Sequence, residues 1–204
     1  MFSREELIEH LANVSKVLDK PLIRKAFEEV DRADFLGDDY KIEAYEDYAI
    51  PIGYGATISQ PTTVAFMLEL LDARVGDKVL DIGSGSGWTT ALLSKIVGES
   101  GEVTGVEIVS ELVELGKNNI EKYAGKNVKI EKINSKRLEN DNEFYDRILV
   151  SASADELPKD LIPRLNPNGI LVIPIKESIW RIKKIEDGKV DSKEYPGFIF
   201  VPLK

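Results

Sequence analysis

The stretch VLDIGSGSGW, residues 79–88, constrains the fold of this chain more than any other. An apolar run ends in Asp81, and an apolar-periodic stretch from Thr89 to Val97 follows three glycines that alternate with serines: Gly83, Gly85 and Gly87. The pattern predicts a buried strand, a tight turn and a helix whose free N–H groups point at whatever occupies the turn. G-x-G-x-G is only moderately specific, because a strand-to-helix turn without a ligand can carry it as well.

A second acidic strand end supports a cofactor site. About twenty residues beyond the glycines, Glu102 to Glu107 form a strand candidate that ends in a carboxylate. An acid at this place commonly binds ribose hydroxyls in a doubly wound sheet, although a solvated strand end would look the same. The two stretches together point to a cofactor of the adenosine type.

The remaining core sequence alternates strands with helices. This order predicts an α/β fold with a mostly parallel, doubly wound sheet. Towards the C-terminus, the turn signal Asp187-Gly188 and a final strand at 198–203 predict an antiparallel hairpin. The predicted strands are 77–82, 102–107, 127–132, 145–151 and 169–175, and the predicted helices are 88–97, 110–123 (with Ser110 as N-cap) and 158–164.

The N-terminal part predicts a helical extension. Ser3 and Glu6 form a capping-box pattern, a second helix should run from Leu22 to Val30, and a third from Thr62 to Leu71. We interpret His10 as a surface or partly buried helix residue rather than a general base. The chain of 204 residues predicts one domain, with N-terminal helices and a loop in 1–60 and the cofactor-binding core in 61–204.

Composition excludes several classes of function. The net charge of −9 lowers the expectation of nucleic-acid binding, which usually needs a basic surface. The chain contains no cysteine, so there is no disulfide, thiolate metal site or cysteine nucleophile, and we expect no metal. The start MFSREELIEH lacks signal-peptide features, and no run reaches membrane-spanning length. We expect a cytoplasmic, monomeric protein that binds no membrane.

Five stretches carry a resemblance to the protein-L-isoaspartate O-methyltransferase family. The most specific is the PIGYGATISQP loop within residues 44–61, since the glycine turn occurs in many methyltransferases. The others are VLDIGSGSGWTTALLS (79–94), GEVTGVEI (101–108), YDRILVSASADELPKDLIPRLNPNGILVIPI (145–175) and GFIFVPL (197–203).

The resemblance implies a Rossmann-like methyltransferase fold that uses S-adenosylmethionine. The family methylates the α-carboxylate of L-isoaspartyl residues in damaged peptides and proteins, and the ester collapses to a succinimide whose hydrolysis restores some aspartate. Ser59 matches the family's proposed active-site serine, and Thr57, Ile58 and Ser59 would border cofactor and substrate. The resemblance places these residues at the cofactor: Asp81, Gly83, Ser84, Gly85 and Gly87 in the glycine turn, Glu107 at the ribose with Ile108 next to it in the chain, and Ser135 near the adenine.

One departure from the family pattern bears on cofactor affinity. The family has Gly-Asp-Gly after the strand near 128–133, whereas this chain has Asn134-Ser135-Lys136, so a neutral hydroxyl stands where the acid is expected. Three alternatives therefore stay open. The protein could methylate another acceptor, bind S-adenosylmethionine without turnover, or be a dinucleotide-dependent oxidoreductase, a class that fits the glycine turn but not the 50–61 loop.

Overall fold

The computed structural model describes residues 2–123, 125–133, 143–158, 160–185 and 188–202. A two-stranded hairpin, β1 (Ile50–Gly53) and β2 (Ala56–Ile58), precedes a seven-stranded sheet in the chain. The interior strand β3 of that sheet spans Lys78–Ile82, and the order of its strands is β5-β4-β3-β6-β7-β8-β9. The first five of these are parallel, and β8 and β9 continue the sheet antiparallel to β7. The other strands are β4 (Glu102–Glu107), β5 (Val128–Lys132), β6 (Tyr145–Val150), β7 (Leu165–Ile175), β8 (Ser178–Lys184) and β9 (Val190–Pro196).

The order in which successive strands are added to the sheet reverses at β3. β4 and β5 lie on one side of it, and β6 to β9 lie on the other. In open α/β sheets, ligands bind at the carboxyl ends of the strands beside such a switch point. The glycine turn follows β3 and Glu107 ends β4, so the topology brings both predicted sequence signals to this point.

Helices cover one face of the sheet. Within the described residues, a hydrophobic core joins side chains of five α-helices to one face of the sheet, through strand residues such as Val79, Val103 and Val172. The opposite face, with Leu80 and Ile148, packs against Leu161 in the segment before β7. The helices are α1 (Arg4–Asn13), α2 (Pro21–Glu29), α3 (Pro61–Leu71), α4 (Trp88–Val97) and α5 (Ser110–Ile120).

The predicted architecture is confirmed in its main features, namely a mostly parallel sheet, a C-terminal antiparallel hairpin and N-terminal helices. The capping box at Ser3 is present, with the Glu6 amide donating to the Ser3 hydroxyl at 3.1 Å. No helix among the described residues is long and apolar enough to cross a membrane.

Three local predictions were wrong. The segment 158–164 forms turns where its residues are described, because Pro163 lacks an N–H and disfavours helical backbone at Ile162. The hairpin partner of β8 is β9, whereas 198–202 contributes an isolated bridge from Pro202 to Ser153. Ser110 is the first residue of α5 rather than its cap, which is Val109.

Candidate active site

The glycine turn is a tight backbone reversal between β3 and α4. The Gly87 amide donates to the Ser84 carbonyl at 2.8 Å. Gly83, Gly85 and Gly87 have φ of +81°, +52° and +88°, a region that side-chain-bearing residues rarely adopt. Ser84 and Gly87 are buried, whereas Gly83 and Gly85 are half-buried and remain reachable from outside.

Gly87 has a packing reason to be glycine. A Cβ there would lie 2.9 Å from Ile120 Cγ2 and 3.0 Å from the Gly116 carbonyl oxygen, both on α5. A Cβ on Gly83 would meet nothing closer than 3.9 Å. The close approach of α4 to α5 therefore explains Gly87 without a ligand, and its predicted place at the cofactor stays a prediction.

Asp81 is a buried carboxyl with one unpaired oxygen. Thr90 Oγ1 donates to Asp81 Oδ2 at 2.6 Å, while Oδ1 is buried with no hydrogen-bond partner in the described part of the chain. Burial raises the pKa of Asp81 to about 6 and the Glu107 charge raises it further, against the lowering effects of the Thr90 hydrogen bond and of the nearby Ser151 hydroxyl. Since buried polar atoms are nearly always paired, Oδ1 is an acceptor that a bound cation or donor would complete.

Glu107 is held in one orientation by backbone N–H groups. Its Oε1 accepts from the amides of Ile108 at 2.8 Å and Val109 at 3.0 Å, and its Oε2 accepts from Gly85 at 3.1 Å. A carboxylate offers about four lone-pair sites, so one on Oε2 stays available. The carboxylate thus ties the end of β4 to the glycine turn while it keeps capacity for one further donor. Ile108 beside it exposes 41% of its surface.

The PIGYGATISQP loop forms a β-hairpin against the glycine turn. β1 (Ile50–Gly53) pairs antiparallel with β2 (Ala56–Ile58). A Cβ on Gly85 would lie 3.3 Å from Ile52 Cδ1, which places the hairpin directly over the turn. Thr57 and Ser59 are half-buried, whereas the Ile58 side chain belongs to the hydrophobic core, so Ile58 offers only its backbone to a ligand.

Arg32 anchors the segment that carries Ser59. Its side chain is 2% exposed, and its terminal nitrogens donate to four carbonyl oxygens, at 2.9 to 3.0 Å. Its guanidinium carbon also lies 5.3 Å from the centroid of the Trp88 ring, at the start of α4. Burial lowers the pKa of Arg32 to about 10, so the side chain stays cationic at neutral pH. The four acceptors are the carbonyls of Ala44, Glu46, Tyr48 and Ser59.

Sequence reasoning missed Arg32, because the surrounding residues Asp31, Ala33 and Asp34 give no signal that its side chain is buried. The N-cap residue of α3 is Gln60, which makes no side-chain cap bond. Asp47 instead accepts hydrogen bonds from the Thr62 amide at 2.9 Å and from its hydroxyl at 2.7 Å. His10 Nε2 lies 3.9 Å from the same Asp47 carboxylate, in keeping with a partly buried helix residue.

The structure therefore brings Asp81, Gly83, Gly85 and Glu107 to one place, under the hairpin that ends in Ser59. Ser84 lies in the same turn, and its buried hydroxyl lacks a partner among the described residues. Ser135 lies outside the described residues, so its predicted place near an adenine stays a prediction.

Comparison with known proteins decides which family carries this arrangement. Residues 2–204 match the description "Protein-L-isoaspartate(D-aspartate) O-methyltransferase". The chain belongs to this family. A protein-L-isoaspartate O-methyltransferase 2 of Archaeoglobus fulgidus is 42% identical over 98% of this chain and 92% of its own length. A protein-L-isoaspartate O-methyltransferase of Methanopyrus kandleri is 37% identical over 98% of this chain and 91% of its own.

Solved structures agree with the sequence matches to this methyltransferase family. A crystal structure of a Plasmodium falciparum protein-L-isoaspartate O-methyltransferase superposes with a TM-score of 0.85 at 27% identity. The match covers 100% of this chain and 99% of that one, which was solved in complex with S-adenosyl-L-homocysteine. The family and fold predicted from the sequence are confirmed.

Proposed function

We propose that this protein transfers the methyl group of S-adenosylmethionine to the α-carboxylate of L-isoaspartyl residues in damaged peptides and proteins, and so initiates their repair. Beyond family membership, the observation that carries the proposal is the pair of buried carboxyls, Asp81 and Glu107, on either side of the glycine turn. Two acidic groups in a buried site favour a cationic ligand and oppose a pyrophosphate. S-adenosylmethionine has a sulfonium and an ammonium group, so the second acid, Asp81, fits it and argues against a dinucleotide, whereas Glu107 alone would suit the ribose of either class.

The residues present fit the cofactor. Asp81 Oδ1 needs a donor, and the half-exposed Gly83 and Gly85 permit close approach to the backbone. Glu107 Oε2 can accept a ribose hydroxyl without losing its bond from Gly85, and the exposed Ile108 offers an apolar contact for the adenine. Ser84, Gly87 and Ser135 complete the proposed cofactor set, with Thr57, Ile58 and Ser59 at the border with the substrate.

The proposed reaction needs no general base. A substrate carboxylate is already ionised at pH 7, and the bound cofactor supplies an electrophilic methyl group. One carboxylate oxygen forms the new O–CH₃ bond with its own electron pair as the methyl–sulfur bond breaks, which leaves a neutral thioether and a methyl ester. The protein therefore has to align the reacting groups and exclude water, which can supply up to roughly 7–11 kcal/mol of barrier reduction.

Ser59 is the proposed positioning group for the substrate carboxylate, through a hydrogen bond from its hydroxyl and not as a nucleophile. Arg32 holds the Ser59 carbonyl at 3.0 Å, so the hydroxyl starts from a fixed backbone. The hairpin beside it offers an exposed surface for an extended peptide, with Tyr54 59% exposed at its tip. We also propose that the protein acts in the cytoplasm as a monomer with one domain, and without nucleic acid or membrane partners.

The test is methyl transfer from labelled S-adenosylmethionine to an L-isoaspartyl peptide, beside the same peptide with normal aspartate. We expect label on the isoaspartyl peptide alone. Ser59→Ala should lower turnover while S-adenosylhomocysteine affinity stays unchanged, and Ser100→Ala, at the opposite edge of the sheet, should match the wild type. Transfer to neither peptide with cofactor binding intact would support another acceptor or a binder without turnover, and full turnover in Ser59→Ala would remove the role of Ser59.

A further inference from the structure

A basic cavity lies at the edge of the sheet opposite the proposed active site. It has a volume of about 390 Å³, and it lies where β6 begins and β8 ends. Four cationic side chains line it against one carboxylate, in a chain whose net charge is −9. The charged lining residues are Arg74, Arg147, Arg181, Lys183 and Asp72.

The sheet register places these cations on one face. Arg147 on β6 lies opposite Ile170 on β7, and Ile170 lies opposite Lys183 on β8. Arg181 is two residues from Lys183 and therefore points to the same side of the sheet. The α3 helix packs over this face, and its last turn forms the wall of the cavity that contains Asp72.

Two of the four cationic side chains stabilise the C-terminal end of α3. Arg147 Nε donates to the Asp72 carbonyl at 3.0 Å, and Arg181 Nε donates to the Leu70 carbonyl at 2.9 Å. Both bonds satisfy carbonyls at the C-terminal end of α3, where cations are favourable. Arg147 also pairs with Asp77 at 3.4 Å, and the Asp72 carboxylate pairs with Lys20 at 2.7 Å and Arg74 at 3.2 Å.

Arg181 and Lys183 keep N–H donors and positive charge that the contacts with α3 do not use. Within the described part of the chain, neither side chain forms an ion pair, and no side-chain hydrogen bond engages Lys183. Arg181 donates one of its five N–H groups to the Leu70 carbonyl. Its strand neighbour on β9 is Lys193, and like charges directly opposite each other destabilise a sheet. Lys183 lies opposite Asp191, so an acid faces Lys183 across the strands while Arg181 faces a second cation.

We propose that this cavity binds an oxyanion of the phosphate class, either free phosphate or the phosphate group of a small ester. The guanidinium fork of Arg181 suits two oxygens of one phosphate, and Lys183 adds a point charge beside it. The site is separate from the cofactor, which the carboxyl edge of the sheet would hold. The proposal therefore does not depend on the methyl-transfer reaction.

The test is thermal unfolding and calorimetry of the full chain with inorganic phosphate, at ionic strength held constant with NaCl. Phosphate should raise the melting temperature in a saturable way, because a ligand that binds the folded state stabilises it. Lys183→Gln and Arg181→Lys should each weaken phosphate binding at least tenfold, the second because it keeps the charge and loses the fork. Lys117→Gln, which removes an equal charge from α5, should bind as the wild type does.

Glycerol phosphate in a parallel titration separates the two sources. Tenfold tighter binding than inorganic phosphate indicates a site for a phosphate ester, and equal binding indicates a site for the free oxyanion. S-adenosylhomocysteine affinity, measured on every variant, checks that the fold is intact. No saturable effect of phosphate, or equal binding in Lys183→Gln and the wild type, would overturn the proposal.

Discussion

Arg32→Lys tests whether one buried side chain holds the segment that carries Ser59. The wild-type guanidinium makes four hydrogen bonds to carbonyls, two from each terminal nitrogen. A lysine ammonium is a single point with three donors, so it cannot reach carbonyls arranged around a planar fork. If two bonds are lost, each worth about 1.5–3 kcal/mol for a charged donor, the free energy of unfolding should fall by about 3–6 kcal/mol.

The assay combines urea unfolding with steady-state kinetics. Because the variant loosens the Ser59 segment while Asp81 and Glu107 keep their places, KM for an isoaspartyl peptide should rise and S-adenosylhomocysteine affinity should change little. Arg24→Lys is the matched control, since Arg24 on α2 bonds exposed Glu9 and Glu28 and should leave stability and KM essentially unchanged. An Arg32→Lys protein within about 1 kcal/mol of the wild type, with an unchanged KM, would refute the reasoning.

Three further variants probe the cofactor side of the site. Gly87→Ala should lower the free energy of unfolding by about 2–4 kcal/mol, because its Cβ would collide with Ile120 at a backbone position of positive φ. Gly188→Ala is the control: its φ is also positive but the space around it is open, so the free energy of unfolding should fall by only about 1 kcal/mol. The affinity for S-adenosylhomocysteine should fall roughly tenfold from pH 7 to pH 5, because Asp81, with a pKa of about 6, gains a proton over this range. Asp81→Asn should remove this pH dependence. Calorimetric titration at both pH values measures the two affinities. The same pKa, raised in the folded state, means that the contribution of Asp81 to stability is greatest below pH 3.8 and is lost as the pH rises through about 6. Glu107→Gln should weaken S-adenosylhomocysteine binding about tenfold or more, since an amide nitrogen cannot accept from Gly85; an affinity equal to that of the wild type would contradict this role.

The sequence predicts the elements whose evidence is local. The strand, glycine turn and helix of residues 78–97 lie where the apolar periodicity places them, because burial on a parallel sheet requires a continuous apolar run. The same logic failed at 158–164, where the apolar spacing fits a helix but Pro163 removes an N–H and disfavours helical backbone at Ile162. It failed again at 198–202, where apolar residues pack against the core without pairing as a strand.

Some residues of the candidate site can likewise be predicted from the sequence, and others cannot. Asp81 and Glu107 are predictable because each ends an apolar strand, and strand order then brings them together. Arg32 and Asp47 are not predictable from spacing, since their partners lie 12 to 27 residues away for Arg32 and 13 to 15 for the Gln60 and Thr62 bonds of Asp47. Those contacts exist only after the 44–59 segment has folded back onto α3 and α4.

The four acceptors of Arg32 are all main-chain oxygens, which every amino acid possesses. Glu46 and Tyr48, which are not buried, can therefore exchange side chains without releasing their attachment to the protein, whereas Ala44 is buried in the core and Ser59 has its own proposed role. The wall of the proposed peptide-binding surface can therefore vary in its side chains while its backbone anchor stays the same. A lineage under pressure to accept differently shaped peptides could alter that wall by single substitutions, while the buried arginine keeps the backbone in place beside the proposed site.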